Sequence, residues 1–459
     1  MQSACGEQIM RKGIENNEGN ASKSERVRMS RSHNWAGNYT YNATELIEPE
    51  DVAQVRERVA ASGRIKALGT RHSFNGIADS AGSHLSLAKL NRILELDREN
   101  GRVTVEGGVR YGELGHYLHD NGFALPNLAS LPHITVSGAC ATGTHGSGDR
   151  NGSLATSVHA MEIVRADGSL VSLSRDDGDE TFQGAVVGLG ALGVVTKLTL
   201  NVVPTFRVAQ RVYEELPLAR LEQGLDAIFS SAYSVSLFTD WKKDSINQVW
   251  VKARLTGGDS GPDSASSVRA AEAEAEFHGA RGARTRLHPV PGLSADPCSE
   301  QLGVPGPWHE RLPHFRMDFT PSAGEELQSE YFVPREQAYA ALSAIYELRE
   351  KISPLLYISE IRTIAEDNLW MSPCYKRNSA GIHFTWKPEW EKVREVLPLI
   401  ERKLEPFEAR PHWGKLFAMP PGRVQPLYEK LPEFRRLVRE FDPAGKFRNA
   451  FLEEYILKE

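Results

Sequence analysis

Two histidines set in runs of small residues are the first places where this sequence could do chemistry. His72 lies in Ala67-Leu68-Gly69-Thr70-Arg71-His72-Ser73-Phe74-Asn75, directly after the strand-like stretch Arg64 to Leu68. A neutral imidazole nitrogen is a competent nucleophile, and glycine nearby lets a ligand approach the backbone closely. His145 lies in a second such run, from Ser137 through Thr142, Gly143, Thr144 and Gly146 to Gly148. These residues offer amide N–H groups of the kind that form an anion-binding nest. Two loops of this type on one scaffold suit a large, phosphate-bearing, redox-active cofactor. On the residues alone, His72 is equally a hydrogen-bonded loop histidine.

Two other chemistries fit less well. Gly188-Leu-Gly190-Ala-Leu-Gly193 matches a dinucleotide fingerprint, which works only where a helix follows and receives the pyrophosphate. Here Val194 to Val203 follows, a β-branched alternating strand pattern, so a nicotinamide site is disfavoured. A metal site of His72, His133 and His145 lacks compact spacing and nearby carboxylates, and no metal is expected.

The elements that must carry these loops read as α+β. A helix is signalled from Pro49 to the stop at Gly63 by Val52, Val55 and Val59. Val103 to Val105 is a strand, Tyr111 to Asp120 a helix, and Glu162 to Leu173 a hairpin turning at Asp167-Gly168. Downstream, Glu336 to Lys351 and Glu389 to Lys403 have helical periodicity; Tyr331 to Val333, Leu356 to Thr363 and Gly381 to Trp386 read as strands. The composition break from Thr256 to Arg284 reads as a surface excursion with a short solvated helix at Arg269 to Glu276. The tail from Phe441 to Asn449 is turn-rich and is expected to pack back on the first domain.

Length and composition set bounds. The 459 residues provide for two or three domains, and 40% hydrophobic with 25% charged residues is ordinary for a globular chain. A net charge of -6 offers no basic footprint for nucleic acid or an anionic membrane. No apolar run approaches a membrane span. Cys5, Cys140, Cys298 and Cys374 form no metal-binding or redox pair, which suits reduced thiols in a cytoplasm. The polar N-terminus lacks a secretory apolar region and reads as a disordered extension over 1–33, with Met29 a plausible alternative start. Nothing demands an oligomer, so a monomer is expected.

Several motifs, taken in order, carry a resemblance: Gly69-Thr-Arg-His-Ser-Phe-Asn75, Asn127-Leu-Ala-Ser-Leu-Pro-His133, Ala141-Thr-Gly-Thr-His-Gly-Ser-Gly148, Gly190-Ala-Leu-Gly-Val-Val-Thr196, Ser359-Glu-Ile-Arg-Thr363, His383-Phe-Thr-Trp386 and His412-Trp-Gly-Lys415. Together they resemble the vanillyl-alcohol-oxidase-type (PCMH) FAD proteins, specifically the alditol oxidases and their sugar-lactone oxidase relatives. The resemblance runs from Asn34 to the C-terminal tail. It implies an FAD-binding domain over 34–206, a substrate domain over 207–416 and a C-terminal segment over 417–459. It also implies FAD contacts at Ala67, Leu68, Gly69, Thr70, Arg71, His72, Ser73, Ser130, Thr135, Gly138, Thr142, Gly143, Thr144, His145 and Val195, with covalent attachment through His72. Arg71 departs from the family, where small residues are common.

The same resemblance implies polyol contacts at Ser130, Glu360, Arg362, Thr385 and Lys415. Glu360 and Arg362 are two apart on an expected strand and share a face, as do His383 and Thr385. A carboxylate, a guanidinium and a hydroxyl in one strip can pair with successive hydroxyls while their charges compensate. On spacing alone a structural ion pair is the better reading, and the matched motifs reverse that preference. Lys415, close to Arg362, is expected to have a lowered pKa and to stabilise or deprotonate the reacting hydroxyl, with Arg362 as its catalytic partner. The implied reaction oxidises a terminal hydroxyl of xylitol or sorbitol, with hydride passing to flavin N5 and O2 returning as H2O2. The alternative is a sugar-1,4-lactone oxidase or dehydrogenase.

Overall fold

The computed structural model describes residues 32–178, 180–255, 276–319 and 326–458. Cys5, Met29, nearly all of the N-terminal extension and most of the 256–284 excursion, including its expected helix, lie outside the described residues.

Alternating buried and half-buried residues make Val194–Asn201 a strand. It is central to a five-stranded antiparallel sheet, flanked by Arg102–Glu106 and Val158–Val164 with Ile93–Asp97 and Leu170–Ser174 outside them. The turn that precedes it, from Gly188 to Gly193, therefore leads into a strand and not a helix. A small parallel sheet of Glu45–Ile47, Ser83–Ser86 and Ile65–Leu68 stands beside it. It is covered by the helix Val52–Ala61, which buries Val55 and Val59 and is capped by the Asp51 side chain. The helix Tyr111–Asp120 has the bounds expected from sequence.

The larger sheet is antiparallel. Its central order is Arg207–Pro217, Ser245–Arg254, Ser234–Thr239, Leu356–Ile364, Ser379–Trp386 and Leu327–Pro334. Every residue of Ser379–Trp386 is buried, because both faces of the sheet are covered. Leu218–Phe229, Ala338–Tyr346 and Trp390–Leu404 are helices packed on this half, burying Leu221, Leu342 and Leu397 among others. The helix expected over Glu336 to Lys351 is broken into a 3-10 turn, Ala338–Tyr346 and Arg349–Ile352. One apolar cluster continues through both halves, from Val105 and Leu198 to Val235, Ile382 and Phe384.

The turns expected from Phe441 to Asn449 are present, and a helix not read from the sequence precedes them. Leu431–Phe441 buries Leu431, Phe434, Leu437, Val438 and Phe441, a helical spacing visible in the sequence. Beyond it, Asn449 donates from Nδ2 to the carbonyls of Gly76, Ile77 and Asp79, so this segment backs the chain just after the His72 loop.

Candidate active site

A cavity of about 1270 Å³ opens between the two halves of the molecule. Ala67, Leu68, Gly69, Thr70, Arg71, His72, Ser73, Ser130, Thr135, Gly138, Thr142, Thr144, His145, Val195, Glu360, Arg362, Thr385 and Lys415 all line it. Gly143, expected among them, is not in the wall.

The His72 ring stacks on Trp35 with centroids 5.2 Å apart, and its Nδ1 meets Thr70 Oγ1 at 2.9 Å. Burial, reinforced by His133, pushes its pKa down to about 4, so the imidazole is neutral at pH 7. The loop turns through Arg71 at φ 64°. That left-handed conformation is costly for any residue with a Cβ, a cost that only glycine would avoid. It is held by Trp35 N–H donating to Arg71 O at 2.8 Å and by Asn34 Nδ2 donating to Ser73 O at 2.9 Å.

The second glycine run needs correcting in part. It is not a loop throughout: Val136–Ala141 is a short helix. The amides of Gly143 and Thr144 donate back to Cys140 O and Ala139 O. They satisfy carbonyls at the helix end and are not free to bind an anion. What this run does offer is space and an unused polar atom. Thr135 Oγ1 is buried without a hydrogen-bond partner. A Cβ on either Gly69 or Gly138 would come within 2.9 Å of that oxygen, and one on Gly107 would meet Val195 O at 2.3 Å.

The opposite wall is a face of the large sheet. Register puts Phe238, Glu360, His383 and Glu330 in one row across four strands, with Ser236, Arg362, Gly381 and Phe332 in the next. Side chains two apart share a face, so the expected strip is real and is wider than the sequence suggested. Glu360 Oε2 is paired with Arg362, whose Nη2 also donates to Ser130 Oγ at 2.5 Å. Glu360 Oε1 lies 2.6 Å from His314 Nε2. Lys252 Nζ donates to Leu312 O at 2.5 Å and to His314 Nδ1 at 3.2 Å. The lysine proton on Nδ1 fixes the His314 tautomer, leaving Nε2–H for Glu360. Burial raises the cost of the Glu360 charge, but Arg362 and His314 outweigh it and hold the carboxyl well below the usual range.

A second ionic group lies beside the first. Lys415 Nζ is 2.7 Å from Glu330 Oε2, and Glu330 Oε1 is 3.2 Å from His145 Nε2. Burial lowers the Lys415 pKa, against the opposing pull of Glu330. Between the two carboxylates, His383 is held neutral by burial and by Lys415, and its Nε2 lies 3.2 Å from Gln328 Oε1. Lys415 sits on a loop tied to the His72 segment: Phe74 N–H donates to Gly414 O at 2.8 Å, and Asn75 Nδ2 donates to Trp413 O and Lys415 O at 2.9 and 2.8 Å.

Residues 43–174 match the FAD binding domain family and residues 323–455 match the D-arabinono-1,4-lactone oxidase family. The chain is 46% identical over 426 residues to an alditol oxidase of Streptomyces sp., covering 92% of this chain and 98% of that protein. The chain belongs to the alditol oxidase family. It is also 28% identical to the L-gulonolactone oxidase of Mus musculus, over 92% of this chain and 97% of that one. The fold is shared with a cholesterol oxidase from B. sterolicum, at a TM-score of 0.73 and 14% identity over 93% of this chain and 96% of that one. The family's α+β, FAD-binding oxidoreductase fold is therefore the fold of this chain.

The wall fits FAD: glycines at 69, 107 and 138 keep it clear, Thr135 Oγ1 lacks a partner, and His72 is neutral within reach of the same cavity. Sequence reasoning missed Glu330, His314, Lys252, Gln328 and Asn75. The glutamate was detectable only as an acidic residue on the strand beginning at Leu327. The others announce themselves through contacts distant in sequence.

The Asn75 clamp generates a test. Asn75→Ala removes the two hydrogen bonds that Asn75 Nδ2 donates to the Trp413 and Lys415 carbonyls, at about 1–3 kcal/mol. Stopped-flow reduction of the enzyme-bound flavin is expected to slow roughly 10–100-fold through misplacement of Lys415, with flavin still bound. An unaltered rate would show that the clamp does not position Lys415.

Proposed function

We propose that this protein oxidises the terminal hydroxyl of a linear polyol such as xylitol or sorbitol to the aldose, with O2 as the electron acceptor and H2O2 as the second product. The observation that carries this is the placement of Ser130, Glu360, Arg362, Thr385 and Lys415 along one cavity shared with the His72 loop. When bound, FAD supplies the two-electron acceptor for the hydride leaving the terminal carbon. It would be held by residues 67–73, Thr135, Gly138, Thr142, Thr144 and Val195, with His72 as the covalent attachment point. The neutral His72 imidazole supports that attachment.

Arg362 donates to the terminal oxygen and stabilises its negative charge, while Lys415, its pKa lowered by burial, takes up the hydroxyl proton as the hydride departs. Glu360, held ionised, accepts from a neighbouring hydroxyl, and Ser130 and Thr385 supply neutral partners along the chain. The charges compensate one another, so an uncharged substrate can replace water without leaving a bare ion. A 1,4-lactone is the second reading, favoured by the lactone-oxidase match over the half that carries Glu360 and Lys415. No described helix is long and apolar enough to cross a membrane. The buried free thiols of Cys140, Cys298 and Cys374 support a reducing, cytoplasmic setting.

Lys415→Met is expected to lower the rate constant for flavin reduction by xylitol about 10²–10⁴-fold while leaving flavin bound. Unchanged reduction kinetics would remove Lys415 from the mechanism. Acid precipitation tests His72: the yellow colour should stay with the pellet and move to the supernatant in His72→Ala. Colour released from the unsubstituted protein would show that the flavin is not covalently held.

A further inference from the structure

Lys415 has a partner that neither the family motifs nor the expected polyol contacts include. Glu330 is 2% exposed, whereas the Lys415 side chain keeps 19% of its surface open to the cavity. Oε2 is committed to Lys415, and Oε1 faces His145 Nε2 at 3.2 Å; Nδ1 of that ring is 2.8 Å from Gly146 O, so the ring donates to both acceptors only when both nitrogens carry a proton. Gly381, opposite Arg362 in the sheet, makes the room. A Cβ there would lie 3.3 Å from Glu330 Oε1 and 3.6 Å from His145 Cε1.

The main chain already fixes the loop without the carboxylate. His412 N–H donates to Glu330 O at 3.0 Å and Leu416 N–H to Gln328 O at 2.8 Å, while Asn75 clamps the other side. The Glu330 side chain is therefore not needed to hold Lys415 near the sheet. It is placed to act on the ammonium itself. We propose that Glu330 is a positioning residue that aims the Lys415 Nζ at the substrate's terminal oxygen and sets the charge state in which it works, with His145 locking the carboxylate in place.

The other charged and titratable groups facing Lys415 are Glu326, Glu360, Arg362, His383 and His412. Glu330 is in direct contact with the lysine, its carboxylate ionised and held well below the usual range by Lys415 and His145 despite burial. Burial drives the Lys415 pKa down and Glu330 resists it. Removing the carboxylate's charge must then lower the lysine pKa further, whether the reaction uses the ammonium or the amine.

The catalytic consequence rests on the polyol reading, but the titration does not. Competitive acetylation of the holoenzyme by acetic anhydride over a range of pH, read by mass spectrometry, gives the Lys415 midpoint without turnover. In Glu330→Gln that midpoint should fall by about 1–3 pH units, and Glu330→Asp, with the charge drawn back one methylene, should shift it the same way by less. The limb of the flavin-reduction pH profile that is absent in Lys415→Met should move to lower pH with it. A midpoint and limb that stay put in both variants, with flavin retained, would overturn the proposal. A wild-type flavin that no polyol reduces would instead remove the functional reading and leave the labelling result to decide the role of Glu330.

Discussion

Two carboxylates buried on one face of the large sheet set the terms for the rest of the site. An unpaired buried carboxylate costs several kcal/mol, so Glu330 and Glu360 must each be matched by cations and hydrogen-bond donors at close range. They are matched separately: Glu360 by Arg362 and His314, Glu330 by Lys415 and His145. Those partners come from a neighbouring strand position, from the 312–314 turn, from the 412–415 loop and from the glycine run of the first half. Pairing the charges thus draws three further segments to the wall that already carries Arg362, and that wall is where a polyol would lie.

The same constraint links the two halves. His145 belongs to the run whose Thr142 and Thr144 line the cavity from the first half, yet its ring reaches across to Glu330. Ser130, from the first half, accepts from Arg362 of the second. Asn75, just past His72, carries the backbone of the Lys415 loop. The His72 and glycine-run segments and the Glu360–Arg362 strip are therefore held in one hydrogen-bonded frame over one continuous apolar cluster. A preorganised donor set of this kind stabilises developing charge without reorganisation during the reaction. Lys252, buried behind His314, extends the frame outward and fixes a tautomer without approaching the substrate face.

Much of this was legible in the sequence where the signal was local. The periodicity of Tyr111 to Asp120 gave the helix, the β-branched run after Gly193 excluded a helix there, and the two-residue spacing of Glu360 and Arg362 placed both on one face. The signals that failed were of two kinds. Glycine-rich composition hid the short helix Val136–Ala141 and led its terminal amides to be read as an anion nest, because the hydrogen bonds that spend them are not encoded by composition. Glu330 was hidden because its partners His145 and Lys415 are far away along the chain, and only the strand register brings them together. The helix Leu431–Phe441 is a different case, since its apolar spacing was present in the sequence but was given no reading.

The proposed function requires this wall to bind an open polyol and its hydride to pass to FAD. The visible spectrum of the purified protein, recorded anaerobically before and after xylitol and then with an aldono-1,4-lactone, tests it most directly. The account predicts that xylitol bleaches the oxidised-flavin band, while the lactone does so poorly or not at all. A band that the lactone bleaches and xylitol leaves intact would contradict the assignment of the Glu360–Arg362–Lys415 strip to a linear polyol.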